Sequence, residues 1–256
     1  MRKIRLTWED TQKGPLILVT PDHPLSDVWK PGRMVPVMDG FPIFLEEHAA
    51  KRLGQLLKEL GNHGQIVPVS GFRSHEEQIS IWEDTLQKEG EAFTRTYVAK
   101  PGHSEHESGL AIDLAKNRDK IDFIRPDFPR DGICGQFRKK AADYGFVERY
   151  PAGKEALTGI GAEPWHFRYV GSAHGRFMDQ EGMILEEYIA FLKENTSPDH
   201  PYRRIFWHER AYTEIFYIDM RGRAEWLLTE AEGERIFWSG SNEGGIILCR
   251  QRKRYG

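Results

Sequence analysis

Two short segments of the chain carry residues of the types that bind a catalytic metal ion. In the first, His106 precedes Asp113 by seven residues, and small residues between them allow a turn before Asp113 emerges in a strand. In the second, Glu163 precedes His166 by three residues, and Pro164 between them excludes a continuing helix. We therefore expect the side chains of each pair to converge where a turn meets a strand.

Two imidazoles and one carboxylate form a common ligand set for catalytic zinc, with the fourth position left to water. His106, Asp113 and His166 would be these ligands, and the zinc would lower the pKa of its water to about 7. Glu163 would then serve as the general base that returns the proton to the leaving amine. Arg73, which lies between a predicted strand and a predicted helix, could stabilise the oxyanion.

Each of these features also has a purely structural explanation. A histidine and an aspartate seven residues apart form a weak pattern by themselves. A glutamate and a histidine three apart are commonly a surface pair or a buried hydrogen bond, and Arg73 is equally consistent with a solvated charge at a helix start. The spacing of these residues alone therefore does not decide whether His106 and His166 bind a metal ion.

The apolar pattern predicts helices alternating with short strands, which indicates an α+β fold with a small antiparallel sheet and flanking helices. The predicted helices cover residues 42–60, about 75–90, 133–144 and 183–195. The predicted strands cover residues 66–69, 110–114, 146–150 and 165–170. Ser74 and Glu77 form a capping box at the start of the second helix.

We expect two domains. Residues 1–197 would form the catalytic domain, with residues 1–40 as an extended N-terminal arm that contains the strand-like run 16–19. Residues 198–256 contain short aromatic and β-branched runs separated by turns, which predict a small antiparallel β subdomain. The aromatic residues of this subdomain could form its core or a surface for a partner.

Composition excludes several functional classes. The 256 residues carry 36 Lys+Arg and 39 Asp+Glu, a formal charge of -3, which disfavours nucleic acid as a partner. Cys134 and Cys249 have no metal-type spacing and predict no disulfide framework. The chain lacks both the apolar segment of a secretory leader and a membrane-spanning stretch, so we expect a cytoplasmic protein.

Three motifs together resemble a known family. The segment 104–113 fits S-x-H-x-x-G-x-A-x-D, the segment 163–166 fits E-x-W-H, and Ser70-Gly71-Phe72-Arg73-Ser74 lies upstream of both. In this order they resemble the zinc D-alanyl-D-alanine peptidases of the VanX and VanY type, and most closely the bifunctional VanXY group. The resemblance covers roughly residues 40–195 and implies the D,D-peptidase (hedgehog-like) fold.

The resemblance implies a role for each site residue. His106, Asp113 and His166 would hold one zinc ion per chain, Glu163 would be the catalytic base, and Arg73 would be the cation that stabilises the transition state. In a separate set, Ser104 and Gln78 would bind polar ends of the substrate, and Trp165 would form a wall of the pocket. The structural alternatives are an N-cap or turn hydroxyl for Ser104, an exposed helix residue for Gln78 and a core tryptophan for Trp165.

The implied activity is hydrolysis of D-Ala-D-Ala and removal of the terminal D-Ala from UDP-muramyl pentapeptide, with a role in resistance to glycopeptides such as vancomycin. Related zinc folds act as L,D-carboxypeptidases or L-Ala-D-Glu endopeptidases, and some relatives of metal hydrolases only bind their ligand. The sequence makes no prediction of the oligomeric state or of the preference between D-Ala and D-Ser.

Overall fold

The computed structural model of the protein describes residues 1–206 and 211–253. The strands are β1 (Arg2–Thr7), β2 (Met34–Pro36), β3 (Phe44–Glu46), β4 (Ile66–Ser70), β5 (Ala111–Lys116), β6 (Phe146–Tyr150), β7 (Glu163–Tyr169), β8 (Tyr202–Phe206), β9 (Ala211–Asp219), β10 (Glu225–Glu230), β11 (Glu234–Gly240) and β12 (Gly245–Lys253). The helices are α1 (Glu47–Glu59), α2 (His75–Glu89), α3 (Glu91–Tyr97), α4 (Gly132–Ala141), α5 (Glu155–Thr158), α6 (Ser172–Glu181) and α7 (Leu185–Asn195). Helices and antiparallel sheets confirm the predicted α+β class.

The chain divides into two compact units. One is Val19–Ile184, and the other combines Met1–Leu18 with Leu185–Gly256. This division differs from the expected boundary at residues 197 and 198, because the first residues of the chain pair with a late strand: β1 pairs antiparallel with β10 from Arg2 to Thr7. The N-terminal segment therefore completes the second unit.

The unit Val19–Ile184 is built on a four-stranded antiparallel sheet with the strand order β4-β5-β7-β6. An apolar cluster contains inward-facing residues of this sheet and of helices α1 and α4. Its fully or nearly fully buried members include Leu53, Leu56, Ile112, Phe137 and Phe167. This packing fixes the sheet from which the polar residues of the candidate site project.

Helix α1 begins later than the sequence predicted. The expected start was residue 42, but Phe44–Glu46 forms strand β3 and pairs with Met34–Pro36. The Glu46 carboxylate then accepts hydrogen bonds from the backbone N–H groups of His48 and Ala49 and caps the helix. The strand pairing and the cap together override the helical spacing of the preceding apolar residues.

Helix α2 begins as predicted. The Ser74 hydroxyl accepts a hydrogen bond from Glu77 N, and Ser74 N donates to the Glu77 carboxylate, which confirms the capping box. The predicted strands at residues 66–69, 110–114, 146–150 and 165–170 are all present with small shifts of their ends. The short helix α3 was not predicted.

The run Leu16–Val19 is buried but forms no strand. Its backbone donors bind side chains instead: Leu16 N donates to Ser239 Oγ, and Leu18 N donates to Asn242 Oδ1, each at 2.8 Å. The apolar run is therefore buried as a strand would be, but side chains rather than a neighbouring strand accept hydrogen bonds from its backbone.

In the unit that combines Met1–Leu18 with Leu185–Gly256, strands β8, β9, β11 and β12 form an antiparallel sheet. Phe216 lies in its apolar cluster, and Trp226 and Trp238 pack against that cluster, which agrees with a core role for these aromatic residues. Phe237 is exposed, and Trp207 lies outside the described residues. In the described residues, none of the helices is long and apolar enough to cross a membrane.

Candidate metal centre

Three neighbouring strands place polar side chains in one row across the sheet. Ser70 on β4 lies opposite Asp113 on β5, and Asp113 lies opposite His166 on β7. Opposite residues on paired strands have adjacent side chains. The sheet register therefore brings Asp113 and His166 together, although 52 intervening residues separate them in the sequence.

His106 reaches this row from the short 3-10 turn Glu105–Ser108, which precedes β5. Its Nδ1 donates to the carbonyl oxygen of Gly71 at 2.7 Å, because a carbonyl oxygen can only accept. Its Nε2 is thereby left without a proton in the neutral ring and lies 3.1 Å from Asp113 Oδ2. A backbone contact thus aims the free nitrogen of His106 at the carboxylate.

The side chains of His106, Asp113 and His166 form a compact set of metal-type ligands. One ligand atom from each lies within 4.8 Å of the others, and all three residues are buried. His166 Nδ1 is 2.9 Å from Asp113 Oδ1, which is buried and accepts no hydrogen bond from the described residues. A buried carboxylate that faces one imidazole with each oxygen, and whose Oδ1 accepts no hydrogen bond within the described part of the chain, fits a divalent cation.

Glu163 approaches the same set through an irregularity in the sheet. In a regular strand, residues three apart point to opposite faces. The register between β6 and β7 shifts between Glu148 and Tyr150, and this shift turns Glu163 towards His166. Glu163 Oε2 lies 3.6 Å from His166 Nδ1, so the carboxylate stands beside the ligand set.

Arg73 is held on three sides. Its Nε donates to Ser70 Oγ at 2.9 Å, one Nη donates to Gln78 Oε1 at 3.2 Å, and the other donates to Asp113 Oδ2 at 3.3 Å. Burial lowers the pKa of Arg73, and the carboxylates of Asp113 and Glu163 oppose this shift. An arginine so fixed presents a permanent positive charge beside the ligand set.

The buried groups shift one another's pKa values in the metal-free protein. Burial lowers the pKa of His106 to about 4, with a further contribution from Arg73. Burial acts in the same direction on His166, but its contacts with Asp113, Glu105 and Glu163 outweigh burial and raise its pKa to about 9. Burial alone would raise the pKa of Asp113, but His106 and His166 hold it well below its usual range.

Burial raises the pKa of Glu163 to about 8, and the neighbouring Asp113 carboxylate adds to this effect, while His166 and Arg73 oppose it. In the metal-free protein, Asp113 contacts both imidazoles directly and stays ionised, whereas the raised pKa of Glu163 favours its protonated form near neutral pH. The site thus contains one carboxylate suited to hold a cation and one suited to exchange a proton.

Comparison with known proteins shows the family to which the chain belongs. A family profile described as VanY, D-alanyl-D-alanine carboxypeptidase, matches residues 42–172. The bifunctional D-Ala-D-Ala dipeptidase and D-Ala-D-Ala carboxypeptidase VanXYC of Enterococcus gallinarum is 38% identical over 182 residues, which are 70% of this chain and 95% of that protein. The chain belongs to the VanY family of D-alanyl-D-alanine carboxypeptidases.

Two solved structures of VanY-type peptidases resemble the chain. The vancomycin-resistance D,D-dipeptidase VanXYg, crystallised with a D-Ala-D-Ala phosphinate analogue, is 44% identical, has a TM-score of 0.93, and the match covers 98% of this chain and 99% of that chain. A mutant of the D,D-pentapeptidase VanY from a VanB-type resistance cassette, in complex with Zn(II), is 28% identical, has a TM-score of 0.58, and the match covers 68% of this chain and 98% of that chain. The D,D-peptidase fold is thereby confirmed.

In this member of the VanY family, a cleft opens beside the ligand set. Ser104, Trp165 and Tyr150 line it together with the polar cluster. Its apolar walls come from Ile81, Tyr97, Val98, Phe123, Ile124 and Ile160. Trp165 lines the cleft and also belongs to the apolar core. Ser104 is buried at the start of the 3-10 turn, where its backbone N–H donates to Glu107.

Gln78 has a different position from Ser104 and Trp165. It is fully buried in helix α2 and is not among the residues that line the cleft. Its Oε1 accepts a hydrogen bond from Arg73, and its Nε2 donates to the carbonyl oxygen of Ala99 at 2.8 Å. The structure thus places Gln78 behind Arg73, where its amide supports the guanidinium.

Sequence reasoning missed four residues that lie behind or beside the ligands. Glu105, Arg149 and Arg168 form buried ion pairs, and the ring centroid of Tyr150 lies 4.9 Å from that of His166. Glu105 occupies a variable position of the S-x-H pattern. Arg149 and Arg168 lie in the predicted strands 146–150 and 165–170, where a charged residue next to an aromatic residue was the available signal.

Proposed function

We propose that this VanY-family chain is a zinc D,D-peptidase that hydrolyses free D-Ala-D-Ala and removes the terminal D-Ala from muramyl-pentapeptide precursors. The observation that carries the proposal is the convergence of His106, Asp113, His166 and Glu163 in one buried cleft. The likeness to VanXYC and VanXYg, which spans almost their whole lengths, supports the bifunctional assignment.

The proposed reaction defines a biological role. Glycopeptide antibiotics such as vancomycin bind peptides that end in D-Ala-D-Ala. Removal of both the dipeptide and the pentapeptide terminus would deprive them of this target. The likeness to VanXYg, a vancomycin-resistance D,D-dipeptidase, supports this role.

The candidate ligands suit zinc. Their two imidazoles and one carboxylate are the ligand set of many catalytic zinc sites, and a related VanY structure contains Zn(II). His106 Nε2, His166 Nδ1 and Asp113 would hold one ion per chain. A bound zinc ion would supply Lewis acidity that polarises the scissile carbonyl and acidifies water.

The residues of the chain itself would move the proton and stabilise the charge. Glu163 would take a proton from the attacking water and deliver it to the leaving amine nitrogen as the C–N bond breaks. Arg73 would donate hydrogen bonds to the oxygen that becomes negatively charged in the tetrahedral state. Both groups are buried, which strengthens their electrostatic effect on a substrate.

Three further residues would orient the substrate. Ser104 lines the cleft and offers a hydroxyl to a polar end of the peptide, and Trp165 forms a wall. Gln78 would contribute through Arg73, since both ends of its amide are engaged within the chain. The apolar wall residues would contact the methyl groups of the D-alanines.

We place the activity in the cytoplasm, where the free dipeptide and UDP-muramyl pentapeptide are made. Cys134 and Cys249 are both buried, and neither forms a disulfide within the described residues, which agrees with a reducing compartment. Detection of the native protein in cytosolic rather than membrane fractions would test this placement.

An amine-release assay tests the proposal. Metal-replete and chelator-treated protein would be incubated with D-Ala-D-Ala and, separately, with UDP-muramyl pentapeptide. We expect release from both substrates by the metal-replete protein alone, and restoration of activity after zinc is added back. Release from one substrate would restrict the enzyme to dipeptidase or carboxypeptidase action.

The alternative activities have their own outcome. Cleavage of an L,D-tetrapeptide or of the L-Ala-D-Glu bond, with no release from either D,D-substrate, would contradict the proposal. Binding of muropeptides by zinc-loaded protein without any cleavage would indicate a binding module.

A further inference from the structure

A buried group of three charged residues lies directly behind the proposed metal site. Glu105, Arg149 and Arg168, here called the Glu105 cluster, have exposed fractions of 1%, 1% and 0%. Glu105 Oε1 accepts hydrogen bonds from Arg149 Nε at 2.8 Å and from Arg168 Nη1 at 2.7 Å. Both arginines therefore bind the same carboxylate oxygen.

Core stability does not account for the Glu105 cluster. Charges lose their hydration when they are buried, and apolar side chains of similar volume commonly stabilise a core as well or better. Arginine and glutamate are also among the residues that are least often fully buried. A cluster of this composition is explained more directly by what the second oxygen of the Glu105 carboxylate contacts.

That second oxygen faces a proposed ligand. Glu105 Oε2 lies 3.4 Å from His166 Nε2, on the side of the ring opposite Nδ1. An ionised carboxylate carries no hydrogen, so Nε2 must donate, and in the neutral ring that binds a metal ion Nδ1 then keeps its lone pair. Nδ1 is the atom that faces Asp113 Oδ1 at 2.9 Å.

The ring of His166 is also held from one face. The ring of Tyr150 packs at a centroid distance of 4.9 Å, and the Arg149 guanidinium lies 5.0 Å from the centroid of Tyr150. Arg149 thus contacts Glu105 and Tyr150, and each of these two residues also contacts His166.

We propose that Glu105 is a positioning residue that orients His166 and sets its tautomer for metal binding, with Arg149 and Arg168 holding the Glu105 carboxylate in place. This inference rests on the metal site proposed above. The two histidines would then be oriented by different means, since His106 is held by the backbone carbonyl of Gly71. A side-chain carboxylate behind a metal-binding histidine commonly tunes the affinity of the site.

The test is Glu105→Gln, which keeps the shape of the side chain. The NH2 group that this substitution introduces must donate either towards the two arginines, which are donors themselves, or towards His166 Nε2. The second arrangement would place the ring proton on Nδ1 and block metal binding. We expect zinc affinity, measured by competition with a chromophoric chelator, to fall about 10- to 100-fold.

A second readout does not depend on catalysis. The visible absorption spectrum of the cobalt-substituted protein reports ligand geometry, and we expect it to differ between the wild type and Glu105→Gln. Glu105→Asp keeps the charge that the arginines require but withdraws the carboxylate from His166. It should therefore fold like the wild type, as measured by circular dichroism, and still lose affinity.

Glu107→Gln is the matched control. Glu107 lies in the same turn and is 7% exposed. Its carboxylate contacts His75 Nδ1 and accepts from Gly102 N, each at 2.8 Å, and from Ser104 N at 3.3 Å; among the described residues its side chain has no hydrogen bond with a proposed ligand. We expect its zinc affinity to stay within about twofold of the wild type. Affinity loss at Glu105 alone supports the proposal.

Unchanged affinity and an unchanged cobalt spectrum in both Glu105 variants would overturn it, and so would an equal loss in Glu107→Gln. Failure of the proposed function is distinguishable from these outcomes. A wild-type protein that binds zinc tightly but cleaves neither D,D-substrate would refute the activity, while the comparison of metal affinities would still decide the role of Glu105.

Discussion

Two buried carboxylates in the candidate site have opposite electrostatic environments. Asp113 contacts both imidazoles and Arg73, so its pKa is depressed. Glu163 stands at the side of His166, and burial raises its pKa to about 8 in the metal-free protein. Residue type alone does not separate these two acids, and their neighbours support the proposed roles of Asp113 as a metal ligand and of Glu163 as the base.

Replacement of Glu163 tests this assignment. We expect Glu163→Gln to lower kcat by roughly 10²- to 10⁴-fold, because the amide cannot accept the proton of the attacking water. Zinc affinity should not fall, because Glu163 is not among the proposed ligands. Steady-state kinetics on D-Ala-D-Ala and a metal assay of the purified variant check the two parts. Wild-type turnover by zinc-loaded Glu163→Gln would refute the role of the base.

At the scale of secondary-structure elements, Gly71, which directly follows β4, leaves no room for a side chain next to the site. A Cβ atom added at Gly71 would lie 2.3 Å from the carbonyl oxygen of Phe44 and 2.9 Å from Ile43 Cγ2. The carbonyl oxygen of Gly71 also accepts the hydrogen bond from His106. One glycine therefore permits the close approach of two strands and anchors a proposed ligand.

We expect Gly71→Ala to destabilise the protein by about 1–3 kcal/mol, because backbone atoms must move to admit the methyl group. The same shift should weaken zinc binding through His106. Gly54→Ala in helix α1 is the control, since no atom lies within 4 Å of its added Cβ and alanine favours a helix by about 0.5–1 kcal/mol. Chemical unfolding and chelator competition measure both effects. Equal stability of the two variants would contradict the close-approach argument.

At the scale of the whole molecule, the site makes the stability of the metal-free protein depend on pH. Glu163 has an ordinary pKa of 4.5 and a folded value of about 8, so between these values the unfolded chain loses a proton that the folded chain keeps. His166 acts in the same way between 6.5 and about 9. Stability must therefore fall as the pH rises through these windows.

We expect the free energy of unfolding of chelator-treated protein to fall between about pH 6.5 and 8, with roughly 1–2 kcal/mol of the loss due to Glu163. His106 and His174, whose folded pKa values are about 4, act with the opposite sign only below about pH 6.5. Urea unfolding at both pH values checks this. The decrease should be smaller in Glu163→Gln, and an equal decrease in both proteins would assign the effect to other groups.

The sequence by itself determined the α+β class, and the resemblance of its motifs to a known family gave the proposed ligands and the proposed base. Helical spacing, the capping box at Ser74 and the order of the motifs depend on residues close in the chain, where local rules are strong. The same local rules misplaced the start of α1, since the pairing of Phe44–Glu46 with Met34–Pro36 is not a local property. They also missed the pairing of β1 with β10, which joins the two ends of the chain.

Only the tertiary structure decided how the site is held together. The row of Ser70, Asp113 and His166 follows from strand register, and the turn of Glu163 towards His166 follows from an irregularity between β6 and β7. The position of Gln78 behind Arg73 and the place of Glu105 behind His166 follow from packing between distant segments. The sequence shows which chemical groups are present. Their distances, their burial and the resulting pKa shifts arise only when residues far apart in sequence pack together away from water.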